Sequence, residues 1–199
     1  MSITSSIRCT AFCGTRRIAS GVLHHVALVA QREYRTHADL VRIFDDRSSR
    51  QIEIDLRGDS ADLLKRLSQG AIAIGKDCDA APPAHSGPGR PKLGVVAREV
   101  TLLPRHWRWL AAQPGGASVA LRRLVDDARR CDAGTDRKRA AQEAAYRFML
   151  TMADGTLGIE PASRALFAGD AAGFEEHTAA WPEDVRDHAA LLAAEALRD

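Results

Sequence analysis

Val95–Arg130 reads VVAREVTLLPRHWRWLAAQPGGASVALRRLVDDARR. Alternation over Arg98–Leu103 predicts a strand, and Pro104 suits the first turn of a helix because its missing N–H has no intrahelical partner there. Pro114-Gly115-Gly116 breaks that helix. Ser118 is a good N-cap for a second helix, whose apolar set is Leu121, Leu124, Val125 and Ala128. The stretch is therefore strand, helix, turn, helix.

Upstream, Gly75–Gly94 (GKDCDAAPPAHSGPGRPKLG) is rich in Pro, Gly and small residues that cannot bury a core, which makes 75–94 a flexible linker. Before it, Cys9–Gly14 and Arg16–Ser20 flank a Gly14-Thr15 turn as a hairpin. Ser20-Gly21 offers a cap for a helix carrying Leu23, Val26 and Ala30. Leu40–Phe44 and Gln51–Leu56 alternate as strands around the turn cluster Asp45–Ser49, and Asp59 or Ser60 caps a helix with Leu63, Leu64 and Leu67. The order ββαββα gives a small α+β domain over 1–74. Downstream, 132–199 reads as helices: one opening at Thr135 or Asp136, one starting at Glu160-Pro161 and closed by Gly169, one around Phe174, and a last one beginning at Pro182. The expected fold is α+β, with an N-terminal domain (1–74), a linker (75–94), a strand-helix-helix module (95–131) and an acidic helical bundle (132–199).

Charge is uneven. Residues 88–139 hold 12 Lys/Arg against 5 Asp/Glu, and residues 140–199 hold 4 against 11, within a chain of 199 residues and net charge +2. A basic middle beside an acidic end points to a polyanionic partner. No apolar run is long enough to span a membrane, and no apolar core of a secretory signal follows the early arginines. The expected location is cytoplasmic.

The Val95–Arg130 stretch resembles the ribbon-helix-helix family of DNA-binding proteins. The resemblance is carried by the strand Arg98–Leu103, Pro104 at the junction, inward Trp107 and Leu110, and Gly116–Val125 at the second helix. It implies a homodimer whose paired strands enter the major groove of double-stranded DNA, with Ser118 meeting a phosphate at the helix N-terminus. The groove side would be Arg98, Val100 and Leu102 in one frame, or Glu99, Thr101 and Leu103 in the other. Neither frame presents three polar readers. Gly89-Arg90-Pro91-Lys92 resembles the core of an AT-hook, an extended arm for a narrow minor groove. The candidate DNA-binding residues are therefore Arg90, Pro91, Lys92, Arg98, Thr101, Ser118 and Arg122.

Catalytic and metal chemistry finds less support. Cys9, Cys13, Cys78 and Cys131 lack the second pair that a zinc set needs, and the seven histidines show no ligand spacing. Gly116-Ala117-Ser118-Val119-Ala120 imitates a nucleophile elbow, but a Pro-Gly-Gly break precedes it and its last Gly is replaced by Ala. Asp45, Asp46, Glu53 and Asp55 cluster on one hairpin as surface carboxylates. No metal or cofactor is expected, and the chain reads as non-enzymatic. The leading function is a DNA-associated, regulator-like protein; the alternative is an interaction adaptor in which the module only dimerises. Taken whole, the stretches Arg50–Gly58, Gly89–Leu110, Pro114–Arg130, Ala140–Phe148, Arg164–Asp170 and Trp181–His188 resemble an uncharacterised bacterial domain-of-unknown-function family. That resemblance implies bacterial origin and shared architecture, and brings no activity.

Overall fold

The turn at Gly14, whose φ of +59° suits glycine, closes a hairpin of Arg8–Cys13 (β1) and Arg16–Val22 (β2). The computed structural model describes residues 7–69, 73–74, 98–152 and 158–198. The chain continues through Leu23–Tyr34 (α1), a short 3-10 turn, Val41–Asp45 (β3), Ile52–Glu53 (β4), Ser60–Ser68 (α2) and Ala73–Ile74 (β5). Then come Pro104–Ala111 (α3), Gly116–Met152 (α4), Ile159–Ala168 (α5), Ala171–Thr178 (α6) and Glu183–Ala193 (α7). Residues 1–76 and 135–199 form one compact unit, and residues 77–134 form a second.

In the first unit the antiparallel order is β2-β1-β3, with Thr10 opposite Phe44 and Ala11 opposite Ile43. Successive side chains of a strand point to opposite faces, so these two pairs serve two cores. Cys9, Ala11 and Ile43 pack with Leu23, Val26 and Leu63 from α1 and α2. Phe12 and Phe44 pack on the other side with Phe148, Met149, Leu166, Phe174 and Val185. The centre is an aromatic cluster: ring centroids lie 5.4 Å apart for Phe12 and Phe148 and 5.3 Å for Phe44 and Phe148, both in the offset or edge range that aromatic pairs favour.

This packing joins 135–199 to the N-terminal residues in one unit. The helices expected to stand apart over 132–199 cover the second face of the N-terminal sheet, because β1 and β3 are apolar on both faces and Phe12 and Phe44 need a cover. Other details shift as well. The strand over Gln51–Leu56 contracts to Ile52–Glu53, since β5 offers a two-residue partner. The helix after β2 begins at Leu23, whose N–H donates to the Ile7 carbonyl at 3.0 Å, so the backbone takes the role expected of the Ser20-Gly21 cap. Asp59 caps α2 as expected, accepting from the Asp62 N–H at 2.8 Å.

In the second unit, α3 begins at Pro104 as expected. Gly115 and Gly116, with φ of +82° and +75°, then turn the chain into α4. The helix starts two residues before Ser118, which occupies the first turn instead of the cap. Residues 98–103 adopt no regular structure, so the strand expected at Arg98–Leu103 is absent from the single chain; a strand requires a hydrogen-bonded neighbour. The helix expected to open at Thr135 or Asp136 does not begin there, because α4 is already under way. Cys131–Thr135 holds no proline, one Gly134 is tolerated at a cost of about 1 kcal/mol, and α4 runs unbroken for 37 residues, about 55 Å.

Candidate functional site

Of the sequence-derived candidates, Arg90, Pro91 and Lys92 lie outside the described residues, as does the linker 75–94. Arg98 and Thr101 sit exposed in the irregular segment before α3. Ser118 and Arg122 stand one turn apart on α4, both exposed, with Arg122 Nε donating to the Ser118 carbonyl at 3.0 Å. The Gly116 N–H that opens α4 donates to the Gln113 carbonyl at 3.0 Å, and the N–H groups that follow it in the first turn, with Ser118, form an end that favours an anion.

Around these residues the second unit is poorly closed. Among its described residues the large side chain that becomes buried is Leu110, at 3% exposure; Ala120, at 2%, is buried too. Val100, Leu103, Trp107, Trp109, Leu124 and Val125 all stay exposed, Val125 at 54%. The unit also presents seven exposed arginines at 98, 105, 108, 122, 123, 129 and 130. One of them, Arg130, forms a salt bridge among the described residues, with Asp127 on the same helix.

Carboxylates in and beside the β3–β4 hairpin are engaged by neighbouring backbone and side-chain donors. Asp45 Oδ1 accepts from the Ser48 N–H at 2.8 Å and the Ser48 hydroxyl at 2.6 Å, which fixes the turn. Asp55 accepts from Arg57 Nε at 2.8 Å, and this hydrogen bond holds its carboxyl down to about 2. No group of three or more His, Cys, Asp or Glu side chains could hold a metal ion among the described residues. Burial, with Asp46 and Asp45 adding, pushes the Cys9 thiol up to about 12, so it is no nucleophile near neutral pH.

Sequence reasoning missed a cavity of about 420 Å³ inside the first unit. Arg8, Arg17, Arg47 and Arg137 border it, with Asp46 and Glu195. Thr10, 2% exposed on β1, donates from Oγ1 to Asp46 Oδ1 at 2.7 Å and lies 3.1 Å from Ser20 Oγ. His188, 2% exposed on α7, forms part of the wall, and its Nε2 has no hydrogen-bond partner. Burial, with Arg17 nearby, lowers His188 to about 4, so its imidazole is neutral at pH 7. The available signal was a polar Thr10 between the apolar neighbours Cys9 and Ala11 on a central strand.

Over residues 8–193 the chain matches the family described as "Uncharacterized protein conserved in bacteria" (DUF2239). The chain belongs to that family. No curated protein and no solved structure matches it. In this DUF2239 member no helix among the described residues is long and apolar enough to cross a membrane.

Proposed function

We propose that the chain is a non-enzymatic, DNA-associated protein that acts as a homodimer through residues 95–131. The observation that carries this reading is the second unit's surface. Its apolar side chains at Val100, Leu103, Trp107, Leu124 and Val125 stay in water in the single chain, beside exposed arginines. Exposed apolar groups of this number mark an association surface. A second copy would cover them, and pairing 98–103 with its two-fold mate would give that segment the ladder partners of a strand. Arginines left at the rim, together with the first turn of α4, would meet phosphates and fix register.

A duplex DNA titration at two salt concentrations, combined with sedimentation at micromolar protein, tests the reading. The expected result is a species of twice 21.6 kDa whose affinity falls steeply with salt. Ser118→Glu, placing a carboxylate where a phosphate is expected, should weaken all duplexes alike and flatten the log–log salt slope by about 0.9 for each phosphate no longer neutralised. A dimer that binds no duplex at low salt would replace this reading with the adaptor, in which the module only dimerises. The adaptor has its own support: Arg122 and Arg130 already direct guanidinium groups to backbone carbonyls of α4.

A further inference from the structure

The cavity in the first unit shares no residue with the surface proposed for DNA, and its chemistry is independent of that proposal. Its polar wall is basic. Arg8, Arg17 and Arg47 come from β1, β2 and the turn after β3, and none of the three forms a salt bridge among the described residues. Arg137 reaches the same space from α4. Of the two opposing carboxylates, Asp46 is pushed above the usual range, chiefly by burial, and already accepts the Thr10 proton. Positive charge therefore exceeds negative in the wall.

The opposite side is apolar and small, formed by Ala140, Ala141 and Ala144 of α4 with Leu191 and Leu192 of α7. A volume of about 420 Å³ falls within the usual range for small-molecule sites and is far too small for a nucleic-acid strand. Two buried polar side chains belong to this wall. Thr10 is tied to Asp46, whereas His188 Nε2 has no partner, and a buried polar atom left unpaired is what an ordered water or a ligand group satisfies. Guanidinium groups recognise phosphate and carboxylate through paired, planar N–H donors.

We propose that this cavity is a binding site for a small organic dianion, a phosphomonoester or a dicarboxylate, with its charged end on Arg8, Arg17 and Arg47 and its short carbon chain on the Ala/Leu wall. Ser20 Oγ supplies a neutral hydrogen-bonding group in the wall. The dimensions suit a body of a few carbon atoms, not a polymer or an extended lipid.

The experiment uses the full chain in calorimetry and thermal unfolding at constant ionic strength, with sn-glycerol 3-phosphate, succinate and neutral glycerol as probes. The expected result is one-to-one binding of sn-glycerol 3-phosphate or succinate at millimolar concentration or below, a raised unfolding midpoint, and no effect of glycerol. Whichever anion binds names the headgroup. Arg8→Gln and Arg47→Gln alter exposed side chains, so the unliganded unfolding midpoint should stay in place while affinity falls about tenfold or more. Absence of binding by both anions, equal binding of glycerol, or unchanged affinity in both arginine variants would overturn the proposal.

Discussion

Lowering the pH from about 7 to about 5 should destabilise the protein through His188. The imidazole is 2% exposed, with ring centroids 4.6 Å from Phe148 and 5.4 Å from Phe12. Burial first, and Arg17 second, hold it at about 4 against an ordinary value of 6.5. Between those values the unfolded chain binds a proton that the folded chain refuses, so the stability contributed by neutral His188 is complete above 6.5 and is lost as the pH falls towards 4. At about pH 5 the loss amounts to about 2 kcal/mol, from 1.36 kcal/mol per unit of pKa difference. Asp46 acts in the opposite sense: its raised carboxyl favours the folded state when protonated, a contribution present in acid and lost as the pH rises through its folded value. Urea unfolding of the parent and of His188→Phe at both pH values separates the two, because Asp46 and the other carboxylates remain in each protein. The parent should lose about 2 kcal/mol more than the variant. Equal losses would refute the argument and place the acid sensitivity elsewhere.

Three further substitutions test the packing, each read by urea unfolding near neutral pH. Phe148→Ala opens the centre of the aromatic cluster against Phe12 and Phe44 and should cost about 3–5 kcal/mol. Gln31→Leu removes the buried amide whose Nε2 donates to the carbonyls of Leu56, at 3.2 Å, and Asp59, at 3.2 Å; stranding those acceptors should cost roughly 1–3 kcal/mol. Asp59→Ala removes the α2 cap and should cost about 1 kcal/mol, a loss that Asp59→Asn should largely restore.

Local signals were legible in the sequence where a single residue decides the geometry. Gly14 closes the hairpin, Asp59 and Pro104 start helices, and Gly169 ends α5 in the left-handed conformation with φ of +76°. What the sequence left open depends on partners distant in the chain. The alternation of Gln51–Leu56 marks which side chains share a face, but strand length is set by the neighbour, and β5 supplies two residues. Phe12 and Phe44 sit in the strands CTAFC and VRIFD, where apolar residues occupy both parities. That pattern signals a strand buried on both faces, and the second cover comes from helices more than a hundred residues away. The cavity gave even less notice, because its wall draws side chains from β1, β2, the turn after β3, α4 and α7.

The opposite charges of the middle and the end of the chain have separate physical causes. In 140–199 four of the eleven carboxylates stand at helix starts: Asp170 caps α6 by accepting from the Gly173 N–H at 2.9 Å, Glu160 lies in the first turn of α5, and Glu183 and Asp184 lie in that of α7. Each position sets a negative charge against the positive end of a helix dipole, a contribution of about 0.3–1 kcal/mol to folding. Asp184 also accepts from the Arg17 N–H at 2.9 Å, joining α7 to β2. At these four positions the acidity is explained by the fold itself. Among the arginines of 98–134, Arg108 lies in the last turn of α3, where the dipole favours a cation. The others lie outside the last turns of α3 and α4, and among the described residues one of them pairs with a carboxylate, Arg130 with Asp127. A charge that folding does not use remains available for a ligand, and exposed arginines outside the helix ends, more than the net values, are the physical basis of the polyanion proposed above.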